Sequence, residues 1–268
     1  MNKKPYYIDD KINLYHTDSL NWLQQREDKS IDCVFADPPY FLTSKPEDMS
    51  YKGEWDRSKG VIEDFNFHYN WIKEAHRVLK DDGIIWITGT HHSIYQCGYA
   101  LQLAGFHILN EISWYKPSKR FENLRKNLAF SHETIIFARK SKEVKQYLNW
   151  GYLTKSQDKF HKDGLTMPTI WDIKPCPKSE IPWHTTPKPV ELLKRIIMLS
   201  TKPNSLILDP FNGSGTTGIA IMESGHGRRY IGLDQSEEYL RKTVERVENK
   251  KEQQKTAFTE AVNVKNIN

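Results

Sequence analysis

Cysteine is scarce in this chain: Cys33, Cys97 and Cys176 are the only three among 268 residues, widely spaced and with no C-x-x-C pair. That argues against a disulfide scaffold or a thiolate zinc site and suits a reducing compartment. Long apolar runs are missing too. Nothing approaches the ~18 residues that cross a bilayer, and the basic start M-N-K-K-P-Y-Y-I-D-D has no apolar segment behind it. Neither a membrane span nor a secretory signal is expected, and a cytoplasmic location is predicted. Charge of one sign is not in large excess. Lys and Arg number 39 against 34 Asp and Glu, a net +5 that by itself says little about a polyanionic partner. The phosphate-loop pattern G-x-x-x-x-G-K-[ST] and the full G-x-G-x-x-G fingerprint are both absent.

What is present is an ordinary globular composition, 38% hydrophobic and 27% charged, long enough for a full core. Short apolar runs alternate with helical patterns. Ile31–Ala36, G-I-I-W-I-T-G, S-L-I-L-D and R-Y-I-G-L-D read as buried strands. Helices are predicted over about 63–79, closing at the D-D-G turn of 81–83, then over 93–104, from Pro189 to Ser200, and over 237–248. The alternation predicts an α/β fold with a doubly wound, mostly parallel sheet. One domain is expected over 1–248. An irregular, proline-rich and aromatic insertion covers about 141–183, and a polar tail, 249–268, is expected to fray.

Two strand ends carry unusual chemistry. F-A-D-P-P-Y-F closes the first apolar run with Asp37, Pro38, Pro39 and Tyr40. A proline pair can merely stop a strand. It can also set a carboxylate and a backbone carbonyl where both accept from an exocyclic amine, beside a ring on which a base stacks. Such an amine is a poor nucleophile because its lone pair is delocalised; two acceptors on its hydrogens would localise it. D-P-F-N-G-S-G-T-T, from Asp209 to Thr217, is a glycine-rich turn of the kind that lets backbone amides approach a ligand. Asp209 would repel a pyrophosphate but attract an ammonium group, and Asp234, ending the next strand, can accept from ribose hydroxyls. A nucleoside with a cationic tail and no phosphates satisfies both, which points to S-adenosylmethionine.

D-P-P-Y followed at a distance by D-P-F-N-G-S-G-T-T resembles the amino-methyltransferases of DNA. The substrate motif comes before the cofactor motif, which is the permuted order of the β group of adenine-N6 enzymes, typical partners of restriction endonucleases. The resemblance runs from about 13 to 248 and takes in W-I-K-E-A-H-R-V-L-K-D-D-G, H-E-T-I-I-F, T-P-K-P-V-E-L-L-K-R-I-I and G-L-D-Q-S-E-E-Y. It implies a Rossmann-like methyltransferase fold and a catalytic tetrad at Asp37, Pro38, Pro39 and Tyr40. It implies cofactor contacts from Asp18, Asp209, Phe211, Asn212, Gly213, Ser214, Gly215, Thr216 and Asp234. His184, Thr186, Lys188 and Pro189 match a segment lining the methionine side, although Thr185 and Pro187 depart from its pattern. The insertion takes the place of the target-recognition region, and a homodimer and a cognate endonuclease are further implied partners.

DNA is the implied substrate, reached by flipping the base out of the duplex. Lys116, Lys119, Arg120, Arg125 and Lys126, in a stretch with five basic residues and one acidic, are expected to hold phosphates. Lys155, Lys159, His161, Lys162 and Lys174 are further candidates for DNA contacts. Pro175-Cys176 has the form of a cytosine-C5 nucleophile, but it lies in the insertion and not after a strand, so it is read as structural. Three alternatives stay open at this point: cytosine-N4 methylation, which the Asp at the head of the tetrad disfavours; a binding protein without chemistry; and RNA as the substrate.

Overall fold

The computed structural model describes residues 4–42, 54–116, 128 and 130–265. Elements along the chain are β1 (Tyr7–Ile8), β2 (Ile12–His16), α1 (Ser19–Gln24), β3 (Ile31–Ala36), α2 (Val61–Val78), β4 (Leu79–Gly89), α3 (Ile94–Leu103), β5 (His107–Tyr115) and β6 (His132–Arg139). There follow α4 (Trp150–Leu153), β7 (Ile170–Trp171), α5 (Val190–Ser200), β8 (Leu206–Asp209), α6 (Thr216–Ser224), β9 (Arg229–Asp234) and α7 (Glu237–Lys265). The strands form one sheet in the order β1-β2-β9-β8-β3-β4-β6-β5-β7. Pairing is parallel from β2 through β9, β8 and β3 to β4, and antiparallel where β6 joins β4 and β5.

Both faces of the sheet are covered, and the strand sequences show why. Along β3, Cys33 and Phe35 enter the core shared with α5, α6 and α7, while Val34 and Ala36 enter the core shared with α1, α2 and α3. A strand apolar on both sides must be sandwiched. Helix α5 buries Leu192, Leu193, Ile196, Ile197 and Leu199, each contributing roughly 1.5–3 kcal/mol of transfer free energy. The helix after β3 lies on one face and the helix after β8 on the other. The crevice between these adjacent strands is therefore the topological switch point, where such sheets bind ligands.

Two boundaries differ from expectation. The D-D-G segment does not end a helix in a turn; it bulges within β4, whose register against β3 jumps from Ile31↔Leu79 to Cys33↔Ile84. Beyond Glu248, where fraying was expected, α7 continues to Lys265. The first part of that extension is tied back to the body: Lys251 pairs with Asp9 at 2.5 Å and Lys250 with Glu223 at 2.6 Å. The insertion does lack regularity, with only α4 and β7 inside it, yet it is docked. Strand β7 extends the sheet beside β5, and Leu153, Met167, Trp171 and Ile173 are buried.

Candidate active site

Parallel pairing brings the carboxyl ends of β3, β8, β9 and β2 to one edge, so Asp37, Asp209, Asp234 and Asp18 gather there although spread through the chain. Asp37 follows directly on β3. Its Oδ1 accepts from Thr88 Oγ1 at 2.6 Å and from the Tyr40 hydroxyl at 2.7 Å, and its Oδ2 accepts from Lys188 Nζ at 2.6 Å. The D-P-P-Y turn is fixed from below by buried Asp56, whose Oδ1 accepts from the amides of Tyr40 at 2.6 Å and Phe41 at 2.9 Å. Phe41 sits at φ 54°, in the left-handed region, and its ring meets those of Phe67 and His68.

Burial would raise the Asp37 carboxyl, but the Lys188 charge and hydrogen bond, with Thr88 and Tyr40, hold it below the usual carboxylate range. Asp209 has the opposite fate. Burial pushes it up to about 7, despite hydrogen bonds from Thr217 Oγ1 at 2.6 Å and the Phe211 amide at 3.0 Å. Burial likewise pushes Asp234 up to about 6, against the amides of Ser236 at 2.8 Å and Gly213 at 2.7 Å.

The glycine-rich turn is shaped for close approach. Gly213 and Gly215 adopt φ of 49° and 71°, and a Cβ on Gly215 would lie 2.4 Å from Thr243 Cγ2. Several side chains singled out in the turn point away from the crevice. Asn212 Nδ2 donates to Thr243 Oγ1 at 3.0 Å and its Oδ1 accepts from Tyr230 at 2.9 Å, so its part is to shape the loop. Ser214 and Thr216 share a hydrogen bond of 2.9 Å, and Arg246 of α7 reaches Thr216 Oγ1 and the Ser214 carbonyl, each at 2.9 Å. Phe211 turns its ring toward Trp71 and Phe67. Asp18 caps α1 through the Asn21 amide at 2.9 Å and accepts from Gln235 Nε2 at 2.7 Å, next to Asp234.

Other expected residues also take different parts. Tyr40 is only 8% exposed and Lys188 lies 5.2 Å from its ring centre, so it offers a hydroxyl to Asp37 more than an open stacking face. Thr186 donates its amide to His184 Nδ1 at 3.3 Å, and His184 lies against Gly213 and Tyr239. Lys116 turns inward to Glu133 and over the Trp114 ring at 4.6 Å and is not displayed to phosphates. Lys119, Arg120, Arg125 and Lys126 lie outside the described residues. His161 is buried, with Nε2 2.8 Å from the Leu165 carbonyl, and Lys159 pairs with Asp172 at 3.0 Å. Burial and Glu180 push the Cys176 thiol up to about 11, which leaves it protonated and unsuited to covalent attack. Sequence reasoning missed Thr88, Glu133 and Arg246. Glu133 had a signal, since H-E-T-I-I-F belongs to the resemblance, but nothing in its spacing gave it a role.

The crevice suits S-adenosylmethionine. Asp209 is buried and Asp234 half-buried, neither with a salt-bridge partner among the described residues, and the glycines of the turn after Asp209 let its backbone pack directly against His184 and Thr243. Asp209 fits an ammonium group, and each Asp234 oxygen carries one amide, leaving a lone pair for a ribose hydroxyl.

The comparisons with known proteins agree. The profile of the DNA methylase family matches residues 31–245. The chain is 40% identical over 252 residues to the Type II methyltransferase M2.MboI of Moraxella bovis, covering 90% of this chain and 89% of that one. It is 40% identical over 256 residues to M2.DpnII of Streptococcus pneumoniae, covering 91% and 92%. Among solved structures, the M1.HpyAVI–SAM complex superposes with a TM-score of 0.63 at 25% identity, covering 88% of this chain and 99% of that one. The cytosine-N4-specific PvuII DNA methyltransferase superposes with a TM-score of 0.68 at 20% identity, covering 91% and 88%, a likeness of fold. With both motifs on adjoining strand ends and the family profile running from β3 into α7, the chain belongs to the DNA methylase family and is an S-adenosylmethionine-dependent DNA methyltransferase.

Proposed function

We propose that the protein methylates N6 of a specific adenine in DNA, as the modification enzyme of a restriction–modification pair. The observation that carries this reading is Asp37. It is anionic, its Oδ1 is filled by Thr88 and Tyr40, and its Oδ2 holds one donor, so an Oδ2 lone pair remains for an amine N–H. The carbonyl of Pro38 is the second acceptor. Together they orient the amine and draw its lone pair out of conjugation, which is positioning and electrostatics without a covalent enzyme intermediate. S-adenosylmethionine, when bound, supplies an electrophilic methyl group on sulfonium. Asp209, Asp234, the backbone of Gly213 to Gly215, and Asp18 beside Asp234 would hold it, with His184, Thr186 and Lys188 toward the methionine side.

Asp at the head of the tetrad favours adenine over cytosine-N4. The insertion over about 141–183 is proposed as the target-recognition region, with Lys119, Arg120, Arg125 and Lys126 gripping phosphates. Extruding the base costs a few kcal/mol. A cognate endonuclease cutting the same unmodified site, a homodimer and a cytoplasmic location belong to the same proposal. No helix among the described residues is long and apolar enough to cross a membrane.

The test is digestion of enzyme-treated DNA to nucleosides. N6-methyladenine is expected with the wild type and none with Asp37→Ala, which should still bind S-adenosylmethionine. N4-methylcytosine without N6-methyladenine would transfer the reading to cytosine.

A further inference from the structure

Lys188 comes from the loop before α5, 151 residues after Asp37, and is only 7% exposed. Its Nζ lies 2.6 Å from Asp37 Oδ2 and 3.8 Å from Glu133 Oε2. Glu133 in turn pairs with Lys116, and its Oε2 is 3.4 Å from the Tyr40 hydroxyl. Two carboxylates and two ammonium groups thus form a charge-neutral quartet drawn from the β3 loop, β6, the end of β5 and the loop before α5. Asp209, which ends β8, is a further charged group near Lys188.

We propose that Lys188 is a positioning residue for Asp37: it holds the carboxylate as an anion and fixes its rotation, so that the remaining Oδ2 lone pair meets the target amine, while Glu133 holds Lys188 in place. This inference rests on the amine-accepting role given to Asp37 above. Geometry supports it first. With Thr88 and Tyr40 on Oδ1 and Lys188 on Oδ2, the carboxylate has three fixed donors and one vacant direction, a built acceptor and not a freely rotating one. The neighbouring strand end supplies an internal comparison. Asp209 is also buried and hydrogen-bonded, but it has no ammonium in contact, and burial takes it up to about 7, whereas Asp37 stays low. An acceptor that took up a proton near neutrality would donate to the amine nitrogen and withdraw the lone pair that has to attack.

The test is the pH dependence of kcat/KM for methyl transfer to unmethylated plasmid DNA by wild type, Lys188→Met and Lys188→Arg. The acid limb should move up by at least about one pH unit in Lys188→Met, with kcat reduced more than S-adenosylmethionine affinity, and return toward wild type in Lys188→Arg. An unmoved acid limb, or a loss confined to S-adenosylmethionine affinity, overturns the proposal and leaves Lys188 a cofactor contact. If Lys188→Met does not fold, the wild type decides: its Asp37 carboxyl carbon, assigned by NMR against Asp37→Asn, should not titrate above about pH 4. A midpoint near that of a buried, unpaired carboxyl overturns the proposal. Full activity in Asp37→Ala would instead sink the parent reading, a different result from any of these.

Discussion

Gly213 donates its amide to Oδ2 of Asp234 at 2.7 Å, so the glycine-rich turn after β8 and the acid that closes β9 are one unit. The Ser236 amide takes the other oxygen at 2.8 Å. Asp234 therefore positions the turn, in addition to the ribose contact proposed for it. Asp234→Ala removes both parts at once. It should weaken S-adenosylmethionine binding by roughly tenfold to a hundredfold, the cost of one or two charge-assisted hydrogen bonds. Calorimetric titration checks this, and an unchanged Kd would show that the turn is held by other contacts.

If Asp209 takes the cofactor's ammonium group, as proposed, cofactor binding should depend on pH. Its folded-state value of about 7 lies above the ordinary 3.8, so the folded protein binds a proton that the unfolded chain has released. Its contribution to stability is full below the ordinary value and is lost as pH rises through about 7. Asp234 adds the same trend up to about 6. A bound ammonium group favours the ionised form, so S-adenosylmethionine binding should release a proton and tighten as pH rises through this window. Measured as the difference between wild type and Asp209→Asn, thermal stability should fall with pH and cofactor-induced stabilisation should grow. A pH-independent difference would place the ammonium elsewhere.

Gly215 is a position where no side chain fits. At φ 71°, with Thr243 Cγ2 2.4 Å from an added Cβ, Gly215→Ala meets both left-handed strain and a clash with α7. The strain alone costs about 1–3 kcal/mol. Lower thermal stability and weaker cofactor binding are expected together, with only the clash relieved by adding Thr243→Ala. Wild-type stability in the single variant would show that the turn can re-form.

The fold was legible where burial is two-sided. Runs such as I-I-W-I and L-I-L leave a strand no choice but the middle of a sandwich, and the helices between them fixed the parallel sense. Legibility ended where long-range contacts decide. The D-D-G segment has turn chemistry, yet Lys80 pairs with Asp32 of β3 and the chain stays in the sheet as a bulge. The end of α7 is mostly polar, with a few apolar residues such as Phe258, Val262 and Val264, so periodicity could not distinguish a frayed tail from a helix; Lys251 on Asp9 is one contact that only the folded chain supplies.

At the site, the sequence marked the backbone features and the acids, because glycine, proline and strand-end aspartate have few other reasons to coincide. It could not show which way a side chain turns. Asn212, Ser214 and Thr216 occupy the right turn but face Tyr230, Thr243 and Arg246, and Lys116 belongs to a basic stretch but turns to Glu133. Thr88 reaches Asp37 only because β4 lies beside β3, a relation set by sheet order and not by any motif.

Arg195 and Asp158 join the insertion to the methyltransferase body. Arg195 of α5 is 1% exposed and its Nη1 lies 2.7 Å from Asp158 Oδ2, with the guanidinium 5.1 Å from the Trp171 ring centre. Asp158 also accepts the amides of Phe160 and Asp172, each at 2.9 Å, so this one carboxylate organises both ends of the segment. Arg195→Met strands a buried anion and should destabilise the protein by about 3–5 kcal/mol, with Asp158→Asn in the same chain restoring part of the loss. If the insertion carries target recognition, the KM for DNA should rise more than the Kd for S-adenosylmethionine, because Asp209 and Asp234 take their hydrogen bonds from Phe211, Thr217, Gly213 and Ser236 and not from the insertion. Equal losses in the two would show that the ion pair supports the whole domain and not the docking of the insertion.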